Sequence, residues 1–349
     1  MQERRELLNK ETIERVKGDN CFDFLRYFFA FSLIIVHFCT LVGIEQFWFV
    51  NGQTRVKAFF TITGFLVVYS YVRRKDIKIY AWKRILRIVP AYVTVVLCCF
   101  LAGALFTTLP VGEYLSAGQT YRYLAANLSF LNFLEPSLPG LFTNNSETAV
   151  NGSLWSMKFE VLFYALVPLV VWLMKRYKRT MSVCIVVCFA LYHFVLDYLE
   201  DSAPDNPLYY QLNHGSFNTM MYFFTGCILL VYFDVFCRHI RLILPASIAL
   251  LVVYTFFDIP LLNYVEPLVF SAFIIGVAYF AKPLNFLRRY DNISYGLYLY
   301  HFPVIQLLIQ FGLPSCSVFL TFVVAVLITI IFSLLSWKIV EKPMLQRIK

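Results

Sequence analysis

The stretch that decides the fold is RYFFAFSLIIVH, residues 26–37, in which ten apolar or small residues separate an arginine from a histidine. It lies in an apolar run, residues 22–43, that is long enough to cross the roughly 30 Å hydrocarbon core of a bilayer as a helix. Because eleven steps of about 100° return nearly to the same side, Arg26 and His37 share one helix face, roughly 16 Å apart along the axis. That face therefore joins a cation at one depth of a membrane to a titratable imidazole at another.

Similar apolar runs recur along the chain, which has 349 residues, 60% of them hydrophobic, 18% aromatic and only 15% charged. This composition fits no class of soluble protein. We predict an all-α fold, a polytopic integral membrane bundle of about ten transmembrane helices. The predicted spans are residues 22–43, 56–72, 88–108, 154–174, 181–198, 216–233, 242–258, 262–281, 293–312 and 316–337.

Positive charge lies mainly in alternate connections between these spans. If residues 1–21 and the tail 338–349 are cytoplasmic, 25 of the 30 lysines and arginines fall on the inner side, as the positive-inside rule requires. The net charge of +9 therefore indicates topology and contact with anionic lipid, and it argues against nucleic acid. We expect a multi-pass protein of the cytoplasmic (inner) membrane with both termini cytoplasmic. Its first apolar run should be the first span and not a cleaved signal peptide.

The spacing of the spans and of the cysteines limits what else the chain carries. Only a dozen residues follow Trp337, so one membrane domain should occupy residues 1–349 with no fused soluble domain. The nine cysteines lie mostly inside apolar runs, without the paired spacing of zinc or redox sites. We therefore predict small packing residues at these positions and no metal.

Two connections differ from simple loops. Residues 73–87 carry seven lysines and arginines with Tyr80 and Trp82 interleaved, which predicts an inner, interfacial amphipathic helix. Residues 109–153, on the outer side, contain prolines and an Asn-Asn-Ser turn, and this segment is too long for a bare connector. We expect it to be functional or to form a re-entrant cap.

Counting depth from the span ends places three side chains in one outer layer. His37 lies about 8 Å from the outer end of its span, and Glu160 and Thr63 lie at a similar depth in theirs. A carboxylate beside an imidazole fixes its tautomer and raises its basicity, as a general base acting on a hydroxyl requires. Alternatively, His37 is a structural imidazole bonded to a neighbouring helix, and Glu160 pairs with Lys158.

Cations gather at the opposite depth. Arg84 and Arg87 are three residues apart on one helix face, a spacing suited to holding a phosphate between two guanidinium groups. With Arg26 at the same level they form a predicted three-cation cluster. The alternatives are that Arg26 extends to inner headgroups and that the other two only flank a helix end.

Two further residues are candidates for the same cavity. His301 lies in SYGLYLYHFP, residues 294–303, where a helix kinked at Pro303 and packed by tyrosines explains it as well as a site does. Trp155, at the outer end of the fourth span, is a candidate for substrate contact or a residue of the interfacial aromatic belt.

Six short motifs in this order make the chain similar to the membrane acyltransferase-3 family, the ten-span O-acyltransferases that modify cell-envelope and exported glycans. The resemblance runs from Asp23 to Pro343. The motifs are an arginine with a histidine eleven residues on (Arg26, His37), FFTITGF (59–65), KRILR (83–87) with Pro90, SLWSMKFE (153–160) with Phe163 and Tyr164, SYGLYLYHFP (294–303) and VEKP (340–343).

The resemblance implies that His37 is the catalytic residue, that Trp155 and Glu160 shape the acceptor end, and that three arginines engage an acyl-CoA donor from the cytoplasm: Arg26, Arg84 and Arg87. Two positions depart from the family pattern: Thr63 stands where serine is usual, and Tyr27 follows the first arginine where a small residue is usual.

Together these features predict a membrane-embedded O-acyltransferase that moves an acyl group, chiefly acetyl, from cytoplasmic acyl-CoA to a hydroxyl of a glycan or lipid-linked saccharide. His37 would be the base, oriented by Glu160, with Thr63, Trp155 and His301 at the acceptor side. In a variant of this mechanism, His37 itself is transiently acylated. The competing class is a transporter or flippase of a glycan or lipid-linked sugar, in which Arg26 and His37 line a pathway and no acyl bond is made.

Overall fold

A computed structural model describes residues 6–45, 52–74, 76–203, 216–257 and 259–347, together with residues 206, 208, 209 and 212. Residues 1–5 of the predicted N-terminal segment, Lys75 of the predicted interfacial segment and the last two residues of the predicted tail lie outside this description. The described residues form helices and turns, with no β-strand among them. The predicted all-α fold is confirmed.

The helices follow the apolar runs of the sequence. They are α1 (Lys10–Lys17), α2 (Phe22–Val42), α3 (Gly52–Arg74), α4 (Ile77–Phe106), α5 (Val111–Ser116), α6 (Gly118–Leu128), α7 (Met157–Arg176), α8 (Lys178–Ser202), α9 (Ser216–Val231), α10 (Phe233–Phe256), α11 (Pro260–Phe280), α12 (Ser294–Gln310), α13 (Leu313–Cys316), α14 (Val318–Ser336) and α15 (Lys342–Gln346).

Each of the ten predicted spans corresponds to one of these helices: α2, α3, α4, α7, α8, α9, α10, α11, α12 and α14. Within the described ranges, eight helices are long and apolar enough to cross a bilayer. The apolar part of α9 is shorter, and α12 has 17 residues. A π-helical turn, Trp337–Glu341, continues α14 directly into α15. The chain is an integral membrane protein.

The predicted interfacial segment differs from expectation in one respect. Residues 77–87 are helical, but they continue without a break into the span as the 30-residue helix α4. A helix of that length extends about 45 Å, which exceeds the hydrocarbon thickness, so its first turns extend beyond the core. Pro90 lies inside the helix without ending it. Four cations of this segment, Lys78, Lys83, Arg84 and Arg87, therefore belong to α4, whereas Arg73 and Arg74 lie in the last turn of α3.

The chain divides into two compact units. The first comprises residues 1–25, 56–80 and 159–290, and the second comprises residues 26–55, 81–158 and 291–349. Four long helices, α2, α3, α4 and α7, contribute to both units. The prediction of one membrane domain remains a prediction.

Aromatic rings and close helix contact form the core of the first unit. Phe163 and Phe223 stack with ring centroids 4.2 Å apart, and Phe60 meets Phe163 edge-on. Beside them, a Cβ on Gly64 would overlap the backbone oxygen of Phe223, and one on Gly226 would overlap α3. Glycine at these two positions lets α3 and α9 approach closely, as small residues do in membrane bundles.

A buried ion pair also lies in the first unit. Lys57 Nζ is 3.3 Å from a carboxylate oxygen of Glu266, and the two side chains are 16% and 7% exposed. Tyr222 donates a hydrogen bond to the same carboxylate, and its ring lies 5.0 Å below the Lys57 ammonium. Each charge therefore has a partner, which is what burial in apolar surroundings requires.

In the second unit, α12 packs against α14 and anchors the segment 109–153. That segment folds into α5, α6 and two 3-10 helices, Asn132–Leu134 and Gly152–Ser156. Gln306 donates to the carbonyl oxygens of Glu147 and Ala149, and Gln310 accepts from the backbone N–H of Phe142. The segment is thus an ordered part of this unit and not a bare connector.

Candidate active site

His37 and His301 are in direct contact in the second unit. His37 lies on α2 and His301 on α12, and Nδ1 of His37 is 2.7 Å from Nε2 of His301. The ring centroids are 5.0 Å apart, and the ring planes are inclined by 17°. His301 is fully buried, whereas His37 is half-buried. One nitrogen of the predicted catalytic imidazole is therefore held by a fixed, buried partner.

The backbone beside His301 decides where the protons lie. Its Nδ1 is 2.8 Å from the carbonyl oxygen of Leu297, which can only accept a hydrogen bond. This nitrogen must carry a hydrogen, so in the neutral ring Nε2 is the acceptor. His37 consequently donates through Nδ1, and its own lone pair is on Nε2. The two hydrogen bonds fix the tautomer of His37 and leave Nε2 as the basic nitrogen.

The SLWS motif is attached to the same helix. Asn151 begins the 3-10 helix Gly152–Ser156 by accepting from the backbone N–H of Ser153 at 3.3 Å, and it donates to the carbonyl oxygen of Leu299 at 2.8 Å. These bonds bring the Ser153 hydroxyl to 3.3 Å from Nε2 of His301. Ser153, which was not among the predicted site residues, therefore contacts the histidine pair.

Trp155 is carried by this 3-10 helix. Its neighbour Ser156 has its hydroxyl 2.8 Å from that of Tyr298 on α12, and Tyr298 also donates to the Ser153 carbonyl oxygen. Trp155 itself is half-buried. The two residues predicted for the acceptor side of this unit, Trp155 and His301, therefore lie on segments that are bonded to each other.

Arg55 is a buried cation that sequence reasoning missed. The apolar pattern starts the second span at residue 56, but α3 begins at Gly52, so Arg55 lies in its first turn. Its side chain is only 1% exposed, and Nε donates to the Ser32 hydroxyl at 3.0 Å. Its charge is near enough to interact with His37. A positive charge beside the predicted base is suited to stabilising negative charge that develops there.

Arg87, predicted to bind donor phosphate, has a carboxylate partner. Its Nη1 lies 3.5 Å from Glu341, which is 1% exposed and accepts a hydrogen bond from Ser336. The guanidinium also lies over the rings of Tyr295 and Trp337, at 5.8 and 5.7 Å from their centroids. Glu341 belongs to the VEKP motif and is the last residue of the π-helical turn. The contacts hold the Arg87 guanidinium in one position.

Arg84 and Arg26 complete the predicted cluster. Arg84 lies three residues before Arg87 on α4, and Arg26 lies on α2; both are half-buried and have further interactions. That the three arginines together hold the phosphates of a donor remains a prediction.

Tyr27, one of the departures from the family pattern, has a structural role. Its hydroxyl donates to the carbonyl oxygen of Asp291 at 2.8 Å and accepts from the N–H of Ile293 at 3.0 Å. Lys342 donates to the Asp291 side chain at 2.9 Å, and this hydrogen bond contributes most to lowering the pKa of that carboxyl. The tyrosine therefore ties α2 to the backbone that leads into α12.

Glu160 and Thr63 belong to the first unit. Glu160 accepts a hydrogen bond of 2.5 Å from the hydroxyl of Tyr164, one turn later on α7, and Thr63 is half-buried on α3 beside Gly64. The predicted layer of Glu160, Thr63 and His37 joins residues of both units and remains a prediction. The imidazole partner found within the unit of His37 is His301.

The residues present suit group transfer by acid–base chemistry. Across the part of the chain that the structure describes, no group of three or more histidine, cysteine, aspartate or glutamate side chains is placed to hold a metal ion. The second unit does supply an imidazole of fixed tautomer, a buried cation whose charge acts on it, and a hydroxyl that contacts the partner imidazole. General acid–base catalysis of transfer to a hydroxyl uses such groups.

Comparison with known proteins identifies the chemistry. A sequence model of a family described as "Acyltransferase domain", the acyltransferase-3 domain, matches residues 19–338. Nodulation protein 10 of Rhizobium leguminosarum bv. viciae is 27% identical over 348 residues, covering 93% of this chain and 92% of that protein. The O-acetyl transferase of Shigella phage Sf6 is 27% identical over 345 residues, covering 94% and 96%.

A third relative is longer. O-acetyltransferase OatA of Staphylococcus aureus is 25% identical over 360 residues, and the match covers 92% of this chain but 56% of OatA. No solved structure matches the chain. Because the family model spans nearly the whole chain and two relatives that match more than 90% of it are O-acetyltransferases, the protein is an integral membrane acyltransferase that belongs to the acyltransferase-3 family.

Proposed function

We propose that this protein moves an acyl group from cytoplasmic acyl-CoA to a hydroxyl of a glycan or lipid-linked saccharide, with His37 as the general base. The observation that carries the proposal is the His37–His301 contact, in which Nδ1 of His37 is held at 2.7 Å and Nε2 is left as the base. The membership in an acyltransferase family and the O-acetyltransferase names of two relatives support acyl transfer to oxygen.

The donor would enter at the inner end of α2 and α4. Arg26, Arg84 and Arg87 would bind the phosphates of CoA, because guanidinium groups match phosphate oxygens in pairs. Arg26 and His37 are eleven positions apart on one helix, roughly 16 Å. That distance is of the order of an extended pantetheine arm, so the thioester would reach His37 while the nucleotide stays at the inner end.

The bonds and the proton of the transfer step balance as follows. Nε2 of His37 takes the proton of the acceptor hydroxyl as the oxygen attacks the thioester carbonyl carbon, forming a tetrahedral intermediate. Collapse of the intermediate breaks the carbon–sulfur bond, and the departing sulfur takes the proton from Nε2. The products are an O-acyl sugar and CoA, and His37 returns to its starting form. Arg55 would stabilise the negative oxygen of the intermediate.

The remaining predicted residues would act at the acceptor side. Trp155 would offer an aromatic face and His301 would hold His37, while a role of Glu160 and Thr63 at the acceptor remains a prediction from the sequence. The charge distribution supports both termini in the cytoplasm, and in that orientation the donor end of α2 would be inside and the acceptor end outside. One membrane domain would carry out the whole transfer.

Reconstituted protein tests this function. Proteoliposomes containing purified protein are given acetyl-CoA with a labelled acetyl group on one side and candidate glycans or lipid-linked saccharides on the other, and labelled product is measured. We expect an ester-linked label on the saccharide that is released by mild base. Saccharide that crosses the membrane without ever acquiring the label would contradict the proposal and favour a flippase.

A further inference from the structure

Phe302 is a buried aromatic residue that touches the predicted base but has no part in the proposed transfer step. It follows His301 on α12, and its side chain is 6% exposed. Its ring meets that of His37 edge-on, with the centroids 5.4 Å apart and an angle of 83° between the ring planes. Edge-on contact at this separation is a favourable arrangement of two aromatic rings. His37 therefore has a second neighbour on α12 besides His301.

The two neighbours restrain His37 in different ways. The hydrogen bond from Nδ1 to His301 fixes one nitrogen, but the imidazole can still pivot about that bond. Successive residues of a helix point about 100° apart, so His301 and Phe302 approach His37 from different directions. The Phe302 ring fills space into which the imidazole would otherwise turn. Together the two contacts fix the plane of the imidazole and hence the direction of Nε2.

Gly152 is the residue against which the tip of the Phe302 ring packs. A Cβ at position 152 would lie 2.7 Å from Cζ of Phe302 and 2.8 Å from Cε2. Both distances are well inside the optimal separation of about 3.5–4.0 Å between carbon atoms. The backbone of Gly152 begins a 3-10 helix and does not have a left-handed φ, so other residues could adopt it. The ring, and not the backbone conformation, therefore requires glycine at this position.

Contacts on both sides of Gly152 keep its backbone from moving away from the ring. Asn151 donates to a backbone carbonyl oxygen of α12 at 2.8 Å, and the Ser153 hydroxyl lies 3.3 Å from Nε2 of His301. Both partners belong to α12, the helix that carries Phe302. A clash at position 152 must therefore be relieved by the Phe302 ring, and a displaced ring changes its contact with the predicted base.

We propose that Phe302 is a positioning residue for His37 and that Gly152 is needed to seat its ring, so that packing of the 3-10 helix on α12 sets the direction of Nε2. The inference rests on the proposed function, in which His37 is the base. Alignment matters steeply, because a misplacement of about 1 Å can cost about 100-fold in rate. Gly152→Ala adds one methyl group, and we expect it to lower kcat about 10- to 100-fold with the KM for acyl-CoA unchanged.

A double-variant cycle tests whether the two residues act through each other. Leucine is shorter than phenylalanine, so Phe302→Leu removes both the edge-on ring and the atoms that a Cβ at position 152 would meet. This variant alone should lower kcat about 3- to 10-fold, because the imidazole is then less restrained. Adding Gly152→Ala to Phe302→Leu should cost less than about two-fold more, since nothing remains to be displaced.

Two control variants make the same chemical changes away from His37. On α5, a Cβ added to Gly112 meets no neighbouring atom within 4 Å, so Gly112→Ala should keep the wild-type kcat. Phe311 meets Phe106 edge-on at 5.4 Å, the same ring separation as between Phe302 and His37. Phe311→Leu should therefore remove an equivalent contact and keep kcat within about two-fold. All rates are compared at matched folded concentration. Phe302→Leu creates space and no clash, so it still tests the role if Gly152→Ala folds poorly.

Nitrogen NMR of the histidines measures the orientation of His37 without any reaction. The chain has five histidines, so protein with isotope-labelled histidine in nanodiscs gives few signals, and those of His37 are identified by their loss in His37→Ala. The wild type should show one protonated and one unprotonated nitrogen for this ring. Gly152→Ala should shift or split these signals, whereas Gly112→Ala should leave them in place. In the Phe302→Leu background, Gly152→Ala should cause no further change.

Two results would overturn the inference. One is Gly152→Ala with the wild-type kcat and the wild-type His37 signals. The other is an equal loss of kcat from Gly152→Ala in the wild-type and Phe302→Leu backgrounds, because the two residues would then act independently. Failure of the proposed function looks different. The wild type would then transfer no acyl group, while the His37 signals would still respond to Gly152→Ala and not to Gly112→Ala, so the positioning of His37 by Phe302 would stand.

Discussion

Nε2 of His301 lies 2.7 Å from Nδ1 of His37, although the two residues are 264 positions apart in the chain. His301 in turn donates to the carbonyl oxygen of Leu297. Because Nδ1 of neutral His301 carries the hydrogen that it donates to Leu297, its Nε2 can only accept a hydrogen bond from His37. It is therefore a positioning residue that gives the predicted base one tautomer and one orientation.

Substitution of His301 tests this positioning role. His301→Phe leaves the Nδ1–H of His37 without a partner, which costs about 1–3 kcal/mol, so we expect kcat to fall about 10- to 100-fold with the KM for acyl-CoA unchanged. His301→Gln can still accept that hydrogen and should recover part of the loss. His239→Phe is the matched control, because His239 is exposed and bonds to a carbonyl of its own helix. Equal activity of the Phe and Gln variants of His301 would contradict the role.

The two arginines of α4 should separate donor binding from stability. Arg84→Gln removes a predicted phosphate contact, and we expect a roughly 10- to 100-fold higher KM for acyl-CoA with little change in unfolding temperature. Because salt screens contacts between a cation and a phosphate that are open to solvent, the ratio of the variant's KM for acyl-CoA to the wild-type KM should fall as ionic strength rises. If Arg84→Gln raises the KM for acyl-CoA by the same factor at low and high salt, Arg84 does not contact the phosphates.

Arg87→Gln should also destabilise the fold, because it leaves buried Glu341 without its cation, a loss of about 3 kcal/mol. The double variant Arg87→Gln, Glu341→Gln should regain much of that stability and keep the raised KM. Thermal unfolding in nanodiscs measures the stability of each variant, and steady-state kinetics measure its KM for acyl-CoA. If the double variant is no more stable than Arg87→Gln, the ion pair is not what stabilises this end of α4.

The ion pair between Lys57 and Glu266 in the first unit leads to a prediction about stability alone. Lys57→Met should cost about 3–5 kcal/mol, because the buried carboxylate of Glu266 then lacks its cation. Adding Glu266→Gln removes the unpaired charge and keeps an acceptor for the hydroxyl of Tyr222, so stability should return. Unfolding followed in detergent checks both variants. A double variant less stable than Lys57→Met would show that the two residues do not compensate each other.

The helical architecture was predictable because hydrocarbon thickness imposes a length on every span. Ten apolar runs therefore correspond to ten helices. The pattern could not show that residues 77–87 continue into α4, since charged turns outside the hydrocarbon resemble a separate interfacial helix. It also started the second span at residue 56 because Arg55 is charged, whereas the structure buries this residue in the first turn of α3.

The candidate site was only partly predictable for a different reason. Helical periodicity puts Arg26 and His37 on one face but does not say which helix lies against that face. His301 was selected from its own motif, and its contact with His37 depends on how α2 and α12 pack. Likewise Arg87 and Glu341 were each in a motif, but nothing in their spacing pairs them. Tertiary neighbours come from packing, which one sequence does not show.

The central claim is that Nε2 of His37 removes the proton of the acceptor hydroxyl. The most direct measurement is the rate of labelled acetyl transfer from acetyl-CoA to the saccharide by purified His37→Ala and wild-type protein, at matched folded concentration and saturating donor. We predict that the variant still binds acetyl-CoA and loses about 10²- to 10⁴-fold in kcat, the usual contribution of general base catalysis. Transfer at the wild-type rate by His37→Ala would contradict the mechanism.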